Sequence, residues 1–521
     1  MRTKYSILNI ATGIGSQIVI TLLSFVSRTI FIQFLGAEYL GVNGLFGNIL
    51  GMLSLAEAGI GSAIIYNLYK PMSDNDTEKI NVLMKFYRKA YIFISFIVIL
   101  LGISLIPFLP FITGNSHIEN ITLIYIIFLV NTASSYLFQH KISFLNVAQK
   151  GYIVTAAYTV SSIFSILIKW GILFFTKSFI LYLLVDIIMT IGTSFILTGI
   201  VNKKYPFLTR NTKSKLDKAT KSNIVTNVKA LILHNIGGYA VFGTDNILIA
   251  SFINLKAVGL YSNYYMLFNL CRTFINQIFD NINYSVGNLV ASESKEKVYS
   301  VFKVMMFFNF WIYSFFATFL YVIIEPFIKL WIGPEYLMGK GVLIILLLNF
   351  YVSGMRRSIT MVKTTSGIFH EDRYAPFFEA GVNLFSSIVL VHYFGIAGIF
   401  LGTFISTLLV PFWISPYLVY KKVFDINLTG YFKRYLLYFL LFMIVAEITS
   451  LTCSIFPSEN LLYLLLKMIL SLVIPNVIFL VIFKKTEEFT YLSKIIGQYS
   501  MKTWLKFRSY KNFTHVKHKT Y

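Results

Sequence analysis

Charged side chains set inside long apolar runs are the residues of this chain best placed to do chemistry. Arg28, Glu57, Lys169, Asp186, His234, Asp245, Arg272, Asp280, Arg356, Arg357 and Glu379 all lie in stretches dominated by Leu, Ile, Phe and Val. In hydrocarbon a charge costs about 2.5–3.5 kcal/mol at mid-bilayer on insertion scales, so such residues face a cavity, a partner or an ion path. A guanidinium stays charged and meets phosphate oxygens two at a time. A buried carboxylate, as at Asp245, Asp186 or Glu57, can carry a coupling proton or sodium ion. Soluble-enzyme motifs are lacking: there is no metal-ligating His pair, no phosphate-binding glycine loop and no nucleophile elbow. Cys271 and Cys453 give no disulfide framework and no metal-ligand spacing, so neither metal nor cofactor is expected.

Not every charge needs a function. Lys169, Arg356, Arg357 and Lys467 read most simply as snorkelling or locally paired cations. Asp280 and Glu379 fall near one membrane boundary, where charge is cheap, and His234 reads as a packed polar residue. Arg28, Glu57, Asp245 and Arg272 are the stronger functional candidates. Gly47 with Gly51 and Gly398 with Gly402 read as close-packing sites.

The elements that position these residues follow from composition. Of 521 residues, 56% are hydrophobic and only 13% charged, with mean hydropathy +0.71. That is a polytopic membrane protein rather than a chain of soluble domains. The net charge of +23 does not imply nucleic acid, because the basic residues lie in short stretches between apolar runs. The start Met1-Arg2-Thr3-Lys4 is like a signal-peptide n-region, but the apolar stretch after it is too long and lacks a small-residue cleavage site. The first helix is therefore expected to stay in place.

A span needs about 20 apolar residues. Fourteen are expected, near 8–35, 42–69, 90–112, 120–140, 152–175, 179–201, 230–253, 257–290, 304–328, 341–362, 376–394, 397–420, 435–455 and 460–483. With the N-terminus inside, and Arg356 and Arg357 counted at the inner end of their span, 37 of the 45 Lys and Arg fall inside. Only Lys177, Lys256, Lys329 and Lys340 fall in outer loops, and the remaining four lie within spans. The positive-inside rule thus places both termini in the cytoplasm.

An internal repeat is legible as well. Phe34-Leu-Gly-Ala-Glu-Tyr-Leu-Gly41-Val has a counterpart in Phe252-Ile-Asn-Leu-Lys-Ala-Val-Gly259-Leu, offset by 218 residues. Gly151-Tyr152 and Ser165-Ile166 match Arg373-Tyr374 and Ser387-Ile388 at an offset of 222. Six helices per repeat is an even number, so the copies are parallel. The expected architecture is all-α, with two six-helix lobes and two extra helices. The boundaries fall at 1–229 (first lobe and basic linker), 230–420 (second lobe), 421–483 (helices 13 and 14) and 484–521 (tail). The tail's basic and aromatic residues suit anionic lipid headgroups.

The run from Phe34 to Phe46, then Leu55-Ala-Glu-Ala-Gly-Ile-Gly-Ser-Ala-Ile64, resembles bacterial polysaccharide flippases. These are the O-antigen and capsule repeat-unit transporters of the multidrug/oligosaccharidyl-lipid/polysaccharide superfamily. Gly243-Thr-Asp-Asn-Ile-Leu-Ile-Ala250 and Val258-Gly-Leu-Tyr-Ser262 are similar to theirs too. The resemblance implies a flippase of the bacterial inner membrane that moves an undecaprenyl-pyrophosphate-linked oligosaccharide outward by alternating access. It also implies that Arg28 and Arg272 bind the pyrophosphate, as cavity arginines do in the related peptidoglycan-precursor flippases. Glu57 occupies the second span, where those relatives carry further arginines. A proton or sodium ion is the implied coupling partner, with a glycan polymerase and a chain-length regulator as neighbours.

Competing readings are a peptidoglycan-precursor flippase or drug exporter of the same superfamily, and a membrane glycan polymerase or glycosyltransferase. The longest outer loop, about 329–340, is short for holding an acceptor and catalytic groups. A scaffold for glycan assembly would leave the intramembrane charges unexplained. The topology predicts that Lys213→Cys, in a background lacking Cys271 and Cys453, escapes an impermeant thiol reagent in intact cells and reacts after permeabilisation. Ready labelling from outside would refute it.

Overall fold

Long apolar stretches with few helix breakers fold as expected, into helices. The computed structural model describes residues 2–494 except 58, 115–117, 369, 458–459 and most of 211–242. The longer helices are α1 (Arg2–Leu53), α2 (Ile60–Ser73), α3 (Thr77–Ser104), α4 (Ile121–Val147), α5 (Gly151–Thr176) and α6 (Phe179–Lys204). They continue with α7 (Asp245–Phe252), α8 (Leu255–Ser292), α9 (Lys295–Trp331), α10 (Lys340–Met355) and α11 (Arg357–Thr365). The last are α12 (Ala375–Phe394), α13 (Ile396–Leu409), α14 (Pro411–Val419), α15 (Thr429–Ser454) and α16 (Leu461–Phe483). Polar caps close several ends: Asp76 accepts from the Lys79 amide at 2.9 Å, and Asn460 from the Leu462 amide at 3.1 Å.

Eleven helices among the described residues are long and apolar enough to cross a membrane. Ten correspond one to one with expected spans, and the eleventh, Gly15–Leu53, covers the first span and part of the second. The other departures have local causes. The seventh expected span lies largely outside the described residues, as does His234. The eighth forms the 38-residue α8, whose row of Asn, Arg and Asp makes it more polar than the rest. Large apolar side chains cover the outer faces, Phe175 being 89% exposed and Phe93 63%. Those faces need a lipid solvent, because a soluble protein rarely exposes such continuous apolar surface.

The first two expected spans are separate helical segments that meet at Gly36, whose φ of 79° and ψ of −178° only glycine adopts at low cost. Other spans are interrupted internally. The second span stops at Leu53, passes through a short 3₁₀ turn, Ser54–Glu57, and resumes at Ile60. The twelfth is divided at Val410, where Pro411 starts α14.

The chain forms two compact units. The first comprises Met1–Asn263 and Pro376–Ser406, the second Tyr264–Ala375 and Thr407–Tyr521. Within the first, the two copies of the repeat meet at equivalent residues. A Cβ on Gly41 would overlap the carbonyl of Leu255 and crowd the amide of Gly259; a Cβ on Gly259 would overlap the carbonyl of Ala37 and crowd the amide of Gly41. Ala37 and Leu255 are 218 residues apart, as are Gly41 and Gly259, so the contact is reciprocal in the manner of a two-fold interface. Gly398 and Gly402 are also close-packing sites, held against Leu390 and Ser387 of α12. Gly47 and Gly51 are not: no described atom lies within 4 Å of a Cβ built on either.

This difference is measurable. Gly41→Val or Gly259→Val should each cost roughly 1–3 kcal/mol through overpacking. The pair should cost less than the sum, because both disrupt one contact. Gly47→Val and Gly51→Val should leave the thermal midpoint of detergent-purified protein near that of the parent. Equal sensitivity at all four positions would contradict the reciprocal crossing.

Candidate functional site

In the first unit, intramembrane polar residues gather around α1, α5 and α6. Arg28 of α1 donates from Nε to the Asn263 side-chain oxygen at 2.7 Å and from Nη2 to the Ser262 hydroxyl. Tyr182 of α6 shares a hydrogen bond with Ser27. On its other side, Lys169 of α5 stands over the Tyr182 ring at 4.2 Å and pairs with Asp186 at 2.5 Å. Phe31 packs edge-on to both Phe179 and Tyr182, with centroids 5.8 and 5.2 Å away. Arg28, Lys169 and Asp186, which the sequence presents as separate charges, thus border one aromatic wall. Lys169 is buried and takes part in an ion pair, in line with its expected local role.

Glu57 sits apart from that wall, at the 3₁₀ turn that breaks the second span. The Tyr91 hydroxyl donates to its carboxylate, and Tyr91 packs edge-on to Tyr87 with ring centroids 4.7 Å apart. A Cβ on Gly61 would press on the hydroxyls of both tyrosines, so the resumed helix is seated against this pair.

Asp245, the first residue of α7, is buried with 7% exposure. It accepts from the Thr403 hydroxyl of α13 at 3.4 Å, and Thr403 in turn accepts from the Asn383 side-chain nitrogen of α12 at 3.0 Å. The side-chain oxygen of Asn383 is buried without a hydrogen-bond donor. Asp245, Thr403 and Asn383 thus form a short buried hydrogen-bonded chain linking α7, α13 and α12. Among the described residues no three His, Cys, Asp or Glu side chains cluster as a metal site.

The second unit contains a charged hollow, a cavity of about 360 Å³. Its α8 wall is Arg272, Asn276, Asp280 and Asn283, spaced four, four and three residues apart and therefore on one helix face. The opposite wall comes from the junction of α10 and α11, with Phe350, Ser353, Gly354, Arg356, Arg357 and Thr360. That junction explains why the arginines point inward. Asn309 of α9 is fully buried and donates to the carbonyls of both Gly354 and Met355 at 3.0 Å, sealing the end of α10 before Arg356. Gly354 leaves no room for a side chain, because the Tyr313 ring lies against it.

Arg357 donates to Asn276 at 2.8 Å and to Asp280 at 2.6 Å, while its Nε is buried without a hydrogen-bond partner. Arg272 places its guanidinium 5.8 Å from the Phe350 ring centroid. Arg272, Arg356 and Arg357 line this cavity together with Asp280, whose carboxylate is paired with Arg357 and whose side chain is 71% exposed. An ion pair that open to solvent is worth only about 0–1 kcal/mol.

Arg357 is a locally paired cation, as one of the two expected readings had it, and it lines the cavity with Arg356, Arg272 and Asp280. Asn276, Asn283 and Tyr313 had no part in the expected site. The polar row on α8 was a usable signal, since residues at this spacing share a helix face. Arg28 is placed in the first unit and Arg272 in the second.

Comparison with known proteins adds to this geometry. No family model matches the sequence, and no curated protein matches it. Solved structures do. The lipid II flippase MurJ, in an inward closed conformation, superposes with a TM-score of 0.61 over 91% of this chain and 99% of its own, at 15% identity. A mutant of the Vibrio cholerae MATE transporter VcmN gives 0.55 over 82% and 99%, at 16% identity. The MATE multidrug transporter DinF-BH gives 0.54 over 81% and 96%, at 19% identity. The chain is a multi-pass membrane protein with the fold these transporters share.

Proposed function

We propose that this protein is a flippase for an undecaprenyl-pyrophosphate-linked oligosaccharide, acting in the bacterial cytoplasmic membrane to supply surface polysaccharide synthesis. The observation that carries this reading is the cavity on which Arg272, Arg356 and Arg357 converge. Pyrophosphate is the part of such a substrate that needs several planar, permanently charged donors. The Asn side chains on the same α8 face and Tyr313 offer further donors and acceptors for sugar hydroxyls. The MurJ likeness also spans 91% of the chain, against 82% and 81% for the two MATE structures.

Arg28 serves as a second phosphate ligand in this scheme. Ser262 and Asn263, two of the groups it donates to, are neutral. Glu57 contributes a carboxylate to sugar hydroxyls at the break in its span. Transport proceeds by alternating access of two six-helix lobes, with both termini cytoplasmic. The basic tail rests on anionic lipid, and a polymerase with its chain-length regulator consumes the product outside. Coupling uses a proton or sodium ion. Asp245, buried and accepting from Thr403, and Asp186, paired with Lys169 at 2.5 Å, are the carboxylates that would carry it.

A drug exporter is the competing reading, favoured by the likeness to VcmN and DinF-BH. Translocation of lipid-linked sugar in vesicles separates the two. Arg272→Ala should lower translocation about tenfold to a hundredfold at normal membrane levels, the range expected for losing a charged hydrogen bond. Arg272→Lys should restore only part, because an ammonium lacks the paired donors. Parent-like translocation by the alanine variant would remove Arg272 from the site, and a parent protein that moves dyes but no lipid-linked sugar would favour the exporter.

The second expectation concerns coupling. Asp245→Asn should still bind substrate but lose its response to an imposed proton or sodium gradient. If the variant responds to gradients as the parent does, the coupling role of Asp245 is wrong.

A further inference from the structure

The α8 wall of the arginine-lined cavity carries a carboxylate that takes no part in the transport proposed above. Asp280 lies about one helical turn beyond Asn276 and two beyond Arg272, on the same face. Asn276 and Asp280 share a single donor, the guanidinium of Arg357. Nη1 donates to the Asn276 side-chain oxygen at 2.8 Å, and Nη2 donates to the Asp280 carboxylate at 2.6 Å. All three residues belong to the second unit.

The two acceptors do different work. Asn276 is neutral and half-buried, so it fixes the guanidinium without cancelling its charge. The ring of Phe279, itself buried, supports the same guanidinium from 5.7 Å. Asp280 is the countercharge, and its side chain is 71% exposed against 30% for that of Arg357. A carboxylate so open to water gives up little when it lets go, because water takes over its hydrogen bonds. Arg357, held by Asn276 and Phe279, keeps its place when Asp280 turns away. The donor that Asp280 vacates is one that a phosphate oxygen accepts from equally well.

We propose that Asp280 is a displaceable countercharge, which holds Arg357 until a phosphate oxygen of the ligand takes its place and which returns to expel that ligand. The inference rests on the reading of this cavity as a pyrophosphate site. Competition at one donor lowers the apparent affinity by the fraction of molecules in which Asp280 holds it. A carrier gains from that loss. Differences in affinity lie mostly in how slowly a ligand leaves, so a resident competitor shortens the time for which the anion is held. The opposite role, a carboxylate that merely aims Arg357, has the opposite sign, since removing it would loosen the ligand.

The test measures binding of inorganic pyrophosphate to the full chain in neutral detergent, together with translocation of lipid-linked sugar in vesicles. Asp280→Asn removes the charge but keeps an oxygen that can accept from Arg357, so the aim of the guanidinium is preserved. It should bind pyrophosphate about three- to fivefold more tightly, the range of an exposed ion pair. In vesicles its KM and kcat should fall together, because the ligand enters more favourably and leaves more slowly. Asp280→Ala should also tighten binding, whereas Asn276→Ala, which removes the anchor rather than the competitor, should weaken it. Unchanged or weaker pyrophosphate binding by both Asp280 variants overturns the proposal and leaves the pyrophosphate site standing. Tighter binding by Asp280→Asn with weaker binding by Asp280→Ala would make Asp280 an orienting group and overturn the proposal as well. A parent that binds no pyrophosphate would remove the anion site itself, and the countercharge with it.

Discussion

A charge or an open backbone group inside hydrocarbon has to be answered by another group, and the polar interior of this protein is organised by that demand. Where the partner is a second charge, the result is fixed and local, as for Lys169 with Asp186. Where it is a neutral side chain, as for Arg28 donating to Ser262 and Asn263, the answer is a hydrogen bond rather than a countercharge. Where helices break, a buried amide does the answering: Asn309 takes up the carbonyls of Gly354 and Met355 and so turns two arginines toward a cavity. Satisfied backbone and available charge are produced by the same residue.

The hollow of the second unit is built from arginines, with a helix face of Asn and Asp opposite, and offers directional donors to a ligand that must be oriented. A transporter's own ligand has to be gripped and released in register with a conformational change. Forked donors supply the grip, and a solvent-open carboxylate among them supplies a group that can take the ligand's place.

Much of this organisation was legible in the sequence. Ten of the expected spans correspond one to one with helical segments long and apolar enough to cross a membrane, because twenty apolar residues in a row have few other solutions. The break at Gly36 falls between the first two expected spans, whereas the 3₁₀ turn at Ser54–Glu57 and the junction before Arg357 interrupt expected spans, because hydropathy does not register a dihedral angle. Arg357 is locally paired, as one expected reading had it, but its partner Asp280 lies 77 residues away on another helix, which the sequence does not reveal. The Lys169–Asp186 pair was half visible, since both residues stood out but nothing local said that they meet.

The crossing of Gly41 with Gly259 carries a historical implication. Each glycine is enclosed by the backbone of the other copy, so neither can acquire a side chain while its mate keeps its place. Two halves of a duplicated gene ordinarily drift apart, each free to explore substitutions that the other never shares. Here that freedom is withdrawn at one matched pair of codons, since a mutation in either half is judged by the geometry of both. Divergence between the copies would be expected to run fastest away from this point and slowest at it. The segment around Gly41 and Gly259 is accordingly where the ancestral duplication is still readable after most of its trace has been lost.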